Sequence, residues 1–212
     1  MGILRRGVRD FPVSLEGLKW TALGFMVVDH LASLLFPGEV WPRLPGRVVF
    51  PTLLTLMAWH LYRGVDPQKY ASRLLPFALL AQGGYALVFG TPWFWPLNVL
   101  FTFLSGIWMV QGRVFPGVLL SLMTEFPLGG PALYFLSRGQ LFWGAVMVGG
   151  SSWFMGWPLW VVFGVSLLVP FLWTVVAHGV PGRRVPWWWA YLFYPLHLWV
   201  LEGLKWLGVF SR

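Results

Sequence analysis

Long apolar runs, each broken by only one or two polar residues and separated by short turns of Pro, Gly and basic residues, make up most of the chain. At about 1.5 Å of rise per helical residue, runs of this length approach the roughly 30 Å of a hydrocarbon core, so the pattern predicts membrane helices. The runs extend from Leu18 to Phe36, Gly46 to Tyr62, Leu74 to Phe89, Leu97 to Gln111 and Trp187 to Leu207. Pro37-Gly38 closes the first, and Pro45 and Pro51 fall near the start of the second, where proline is best tolerated. The stretch between them is less regular. Val114 to Thr124 is too short to cross, the breaker EFPLGGP follows it, and the next apolar run, from Ala132, is interrupted by Arg138. With Arg113 and the pair Arg183-Arg184 on one side of the membrane, an even number of crossings lies between them. A re-entrant piece followed by two full spans satisfies this, and so do four short crossings. The expected fold is an all-α, polytopic membrane bundle of about 7 to 9 segments, with one re-entrant in the first of these two arrangements. Residues 1–17 form a short N-terminal segment and 18–212 a single transmembrane domain.

Composition sharpens this reading. Hydrophobic residues are 58% of the chain and charged ones 10%, which excludes an ordinary soluble domain. The 15 Lys and Arg outnumber the 7 Asp and Glu, but in a membrane protein such an excess marks cytoplasmic loops, and no loop is long enough for a basic nucleic-acid module. Arg5, Arg6 and Arg9 before the first span, and Arg63, Lys69 and Arg73 after the second, put the N-terminus in the cytoplasm. The absence of cysteine excludes disulfides and thiol catalysis. No apolar stretch with a small-residue cleavage site precedes Leu18, so the first span is expected to stay in the mature protein.

The candidate chemistry lies on a few polar residues inside the apolar runs. Lys19 and His30 stand about 16.5 Å apart along a helix and about 20° apart around it, so they share a face. With Lys19 at one interface, His30 and Asp29 fall near the midplane, where ionisable groups are costly and usually functional. His30 is a candidate general base, with a hydrogen-bonded structural histidine as the alternative. Asp29 lies about 100° around the helix from His30, a placement that favours pairing with Arg47 at the start of the next span over a dyad with His30. Lys19, Arg63, Lys69 and Arg73 share one membrane face and either clamp the phosphates of a donor or simply set topology. In YLFYPLHLWVLEGLK, Pro195 kinks the helix beside Tyr194 and His197, a second polar spot, while Glu202 and Lys205 pair with each other. Glu125 either lines a cavity or belongs to a solvated loop, and His60 and His178 fall near span ends. There is no Gly-rich phosphate loop, no His-Glu-x-x-His, no Gly-x-Ser-x-Gly and no closely spaced histidine pair, so no metal site is expected.

Five segments, LKWTALGFMVVDH, GRVVFP, KYASRLLPFALL, PLNVLFTFLSGI and YLFYPLHL, resemble in the same order the motif blocks of the TraX family, named for the acetylase of the F-pilin N-terminus. The basic residue, ten residues, then His of the first span also resembles integral-membrane acyltransferases of the acyltransferase-3 type. The resemblance implies a multi-pass protein of the bacterial inner membrane that takes acetyl-CoA from the cytoplasm. By position, His30 becomes the catalytic base, with Asp29 and Arg47 beside it. Lys19, Arg63, Lys69 and Arg73 hold the donor, and Asn98, Glu125, Tyr194 and His197 face the acceptor. That acceptor is a pilin-like peptide amine, or the hydroxyl of a lipid or glycan. The contrasting expectation is a non-enzymatic transporter or assembly factor that uses Asp29, His30 and Arg47 as a proton or substrate path.

Overall fold

A computed structural model describes residues 14–180 and 186–210. The arginines at 5, 6, 9, 183 and 184, from which orientation is inferred, lie outside the described residues. Nine α-helices run through the described chain: α1 (Leu15–Leu35), α2 (Val49–Tyr62), α3 (Pro67–Phe89), α4 (Val99–Val110), α5 (Val114–Leu122), α6 (Gly129–Leu136), α7 (Leu141–Phe154), α8 (Leu159–His178) and α9 (Trp187–Trp206). Two short 3-10 turns, Trp41–Arg43 and Pro45–Val48, connect α1 to α2. The molecule is an all-α membrane bundle, and α1, α3 and α8 are each long and apolar enough to cross a membrane.

Local chemistry sets the ends of these helices. The Ser14 hydroxyl accepts from the Gly17 N–H at 3.2 Å to start α1. Asp66 accepts from the Gln68 N–H at 2.9 Å and Pro67 occupies the first turn, so α3 begins seven residues before the apolar run at Leu74. Lys69 and Arg73 therefore ride on the opening turns of a helix, where the sequence pattern places a loop. Hydropathy marks where a helix becomes apolar, whereas a cap and a proline mark where it starts.

The irregular middle resolves into a hairpin. Helices α5 and α6 have 9 and 8 residues, and at about 1.5 Å per residue neither can cross a core of about 30 Å. They pack on α4, and α7 and α8 follow as an antiparallel pair. Small residues permit this approach: a Cβ on Gly106 would stand 2.6 Å from Leu133 Cβ and 2.9 Å from the Gly130 carbonyl. Between α5 and α6 the backbone is not helical, and side chains satisfy it, as buried irregular chain requires. The Ser121 hydroxyl donates to the Pro127 carbonyl at 2.7 Å and accepts from the Gly130 N–H at 3.1 Å, and the Ser151 hydroxyl accepts from the Leu128 N–H. The Leu97 N–H donates to the Met123 carbonyl and the Glu125 N–H to the Leu97 carbonyl, both at 2.8 Å. This frame holds Glu125 and Phe126 toward α1, α2 and α9. Helix α9 packs along α3 and reaches α1, which carries its histidine to the other polar centre.

Candidate active site

One wall of the polar centre comes from the turn between α1 and α2. An Arg47 Nη2 donates to Asp29 Oδ1 at 2.6 Å, as the sequence spacing leads one to expect, and Arg43 Nε lies 3.5 Å from the same oxygen. Both guanidiniums stack over the Trp157 ring, at 4.2 Å for Arg47 and 5.3 Å for Arg43, which shields the cluster from the apolar surroundings. Gly46 makes the approach possible, since a Cβ there would strike the Asp29 side chain. Asp29 is thus committed to arginines, and its partner in the site is not His30.

The partner of His30 lies 167 residues away. His30 Nδ1 and His197 Nε2 are 2.7 Å apart, and the two rings stack at 4.9 Å between centroids with 9° between planes. His197 Nδ1 lies 3.1 Å from the Phe193 carbonyl, one helical turn back. A carbonyl oxygen only accepts, so His197 Nδ1 carries the proton of that bond and its Nε2 is the bare acceptor. His30 Nδ1–H therefore donates to His197 Nε2, leaving His30 Nε2 with a lone pair. Phe89 and Tyr194 meet the His30 ring edge-on and fix its plane.

Two cavities meet at this centre. The smaller, about 40 Å³, is lined by Asp29, His30, Arg47, Phe50, Glu125 and Tyr194 among others. Of the two carboxylates on its wall, Asp29 is paired, and no hydrogen bond or ion pair among the described residues engages the Glu125 side chain. The larger cavity, about 520 Å³, opens between the ends of α1, α2 and α3 and the start of α9. Its charged wall consists of Lys19, Lys69, Arg73 and Glu16, with His60 and Tyr70 hydrogen-bonded to each other at 2.8 Å. The rest is largely apolar, including Leu23, Leu56, Met57, Leu74 and Phe103. Lys19 is held by Glu16 at 2.5 Å. The two cavities share four wall residues: Met26, Leu53, Val99 and Tyr194.

Lys19, Lys69 and Arg73 thus gather on one cavity, and Asp29, His30, Arg47, Glu125 and Tyr194 on the other, with His197 directly behind His30. Two expected residues fall outside. Arg63 does not line the larger cavity, because it closes α2 and stacks over Trp59 at 5.8 Å. Asn98 is fully buried and its side chain is committed: Oδ1 accepts from the Leu100 N–H, and Nδ2 donates to the Ala78 carbonyl and to Gln82 Oε1. It caps α4 and pins it to α3, so its role is to place Val99, not to touch an acceptor. Sequence reasoning also missed Arg43, Gln82 and Trp157, whose roles appear only once the connecting turns are folded onto the bundle. Among the described residues no group of three or more acidic or histidine side chains is placed to hold a metal.

Comparison with known proteins bears on the same residues. The sequence profile of the TraX protein family matches residues 14–113. Protein TraX of Escherichia coli, and Protein TraX of its strain K12, are each 32% identical to the chain over 93 residues, which is 43% of this chain and 37% of the relative. The match thus spans little more than a third of the relatives' length. No solved structure matches the chain. The matched region holds Lys19, Asp29, His30, Arg47 and Arg73 together with most of the walls of both cavities, so the part of the chain that is similar to the TraX family is the part that builds the site.

Proposed function

We propose that the protein is an integral-membrane acyltransferase that takes the acyl group from acetyl-CoA and passes it to an acceptor amine or hydroxyl. The observation that carries this reading is the pair of cavities sharing one wall: a large one rimmed by cations, and a small one with His30 on its surface. Phosphates of the donor are held at Lys19, Lys69 and Arg73, by bidentate contact at Arg73 and as point charges at the lysines. The apolar remainder of that cavity takes the uncharged arm of the donor. The thioester then lies at the shared wall, and the acceptor occupies the small cavity beside Glu125.

His30 Nε2 removes the acceptor's proton as the acceptor heteroatom attacks the carbonyl carbon. The carbon–sulfur bond breaks, and the departing thiolate takes that proton back from His30, so that CoA leaves as the thiol. His197 keeps the His30 lone pair on the correct nitrogen and stabilises the transient imidazolium. The small cavity, about 40 Å³ on a scale where one water takes about 10–15 Å³, admits only the reacting end of the acceptor and so leaves little space beyond the shared wall for a long acyl chain. In this reading the cationic cavity faces the cytoplasm, where CoA is available, and the membrane is the bacterial inner membrane.

The direct test is transfer from labelled acetyl-CoA, followed into peptide, lipid and polysaccharide fractions, by wild type and His30→Gln protein in detergent. Label appearing in one fraction with wild type and lost with the variant supports the reading and names the acceptor class. Undiminished transfer by the variant removes His30 from the mechanism. Proton-coupled flux in proteoliposomes, with no binding of CoA, would favour the transport reading instead.

A further inference from the structure

The four residues shared by the two cavities are unequal. Met26, Leu53 and Val99 present apolar side chains, and Tyr194 alone brings a side-chain hydrogen-bond donor to the wall where donor and acceptor sites meet. Tyr194 is 3% exposed; the Val99 backbone is the one polar group directed at its hydroxyl oxygen, and the O–H itself donates to no group among the described residues. A buried hydroxyl that donates to nothing is rare, because burial removes its water without replacing it. Of its neighbours, Asp29 binds Arg47 and Arg43, His30 Nδ1 binds His197, and Glu125, the other carboxylate of the small cavity, makes no hydrogen bond to it. The ring is nonetheless held firmly, edge-on to His30 at 6.4 Å and to His197 at 5.4 Å between centroids. A rigid donor with nothing to donate to marks the place of a missing acceptor atom.

Resting on the acyl-transfer reading above, we propose that Tyr194 is a catalytic residue whose O–H donates a hydrogen bond to the acyl carbonyl oxygen as that oxygen becomes negative. When the acceptor heteroatom bonds to the carbonyl carbon, the C=O π electrons move onto oxygen, and the acceptor's proton goes to His30 Nε2. Tyr194 keeps its own proton and stabilises the oxyanion through the hydrogen bond. The C=O bond then re-forms, and the CoA thiolate leaves with the proton from His30. A donor fixed before reaction, in a site that excludes water, strengthens as charge develops and needs no reorganisation.

Tyr194→Phe removes one oxygen and leaves the ring contacts in place. Because the hydroxyl donates to no protein group, the variant is expected to fold and to melt in detergent close to wild type. Its kcat for acetyl transfer is expected to fall by about 10²- to 10³-fold, the loss typical of removing one oxyanion donor. The affinities for CoA and for a ketone analogue of acetyl-CoA, with methylene in place of sulfur, are expected to stay within about threefold. A kcat within about threefold of wild type would overturn the proposal, as would a loss confined to KM or to donor affinity. Should Tyr194→Phe be recovered poorly, 3-fluorotyrosine at position 194 serves as the second variant. The same group then donates more strongly, and kcat equal to that of a thermally inactivated control would likewise count against the proposal. Wild-type protein that neither binds CoA nor transfers acetyl defeats the underlying acyl-transfer reading, a result distinct from an active wild type whose Phe variant is equally active.

Discussion

The two cavities solve opposite electrostatic problems. Apart from Glu125, the small one sits among polar groups that are already paired: Asp29 between two arginines, the arginines over Trp157, and His30 against His197. The large one gathers three cations and a single carboxylate, with Glu16 paired to Lys19. A buried charge without a partner is expensive, so a site deep in a bundle must be built paired. A rim near the end of the helices can carry excess charge and leave its neutralisation to a ligand. In the acyl-transfer reading, the first arrangement positions reacting groups, and the second selects what comes to them.

Substitutions can break this contrast at several points. The largest effect is expected at His30: His30→Gln should lower acetyl transfer by about 10²- to 10⁴-fold, the range for loss of a general base, with CoA affinity unchanged by calorimetric titration. Arg47→Leu leaves Asp29 with only the longer contact to Arg43, and should cost about 3–5 kcal/mol of stability, seen as a lowered melting temperature in detergent. In the large cavity the effects should be on binding alone. Arg73→Ala is expected to weaken CoA binding by about tenfold, corresponding to one charge-assisted contact of about 1.4 kcal/mol, with little change in kcat. The smallest effect should come from Glu16→Gln, which frees Lys19 for the donor and should tighten CoA binding by about two- to fivefold, since a partly exposed ion pair is worth at most about 1 kcal/mol. Weaker binding from Glu16→Gln would mean that the carboxylate itself touches the ligand.

How far the sequence foretells this arrangement depends on the distance over which each element acts. The Asp29–Arg47 pair is legible because one tight turn joins two neighbouring helices and leaves little freedom in their register. The break between the two short helices is legible because the apolar run Val114 to Thr124 is too short to cross and EFPLGGP interrupts it. His30 with His197 is not, because their meeting depends on α9 packing along α3 and reaching α1, which no local pattern specifies. Asn98 misleads for a related reason. An asparagine among apolar residues resembles a substrate ligand, and only the positions of Gln82 and Ala78 show that its hydrogen bonds are already spent on the backbone frame. Arg63 and Arg73 look alike in a basic loop, and the early start of α3 is what separates them, turning Arg73 toward the cavity.

Gly46 contributes by what it lacks. A search for functional residues by chemical type would pass over it, since it offers no donor, acceptor or charge. Yet the carboxylate of Asp29 occupies the volume that any side chain at position 46 would fill. The ion pair that closes one wall of the small cavity is therefore encoded partly as empty space. A single added methyl group, Gly46→Ala, would displace the Asp29 carboxylate and disturb its ion pairs as a charge mutation would, while leaving every charged residue of the chain in place.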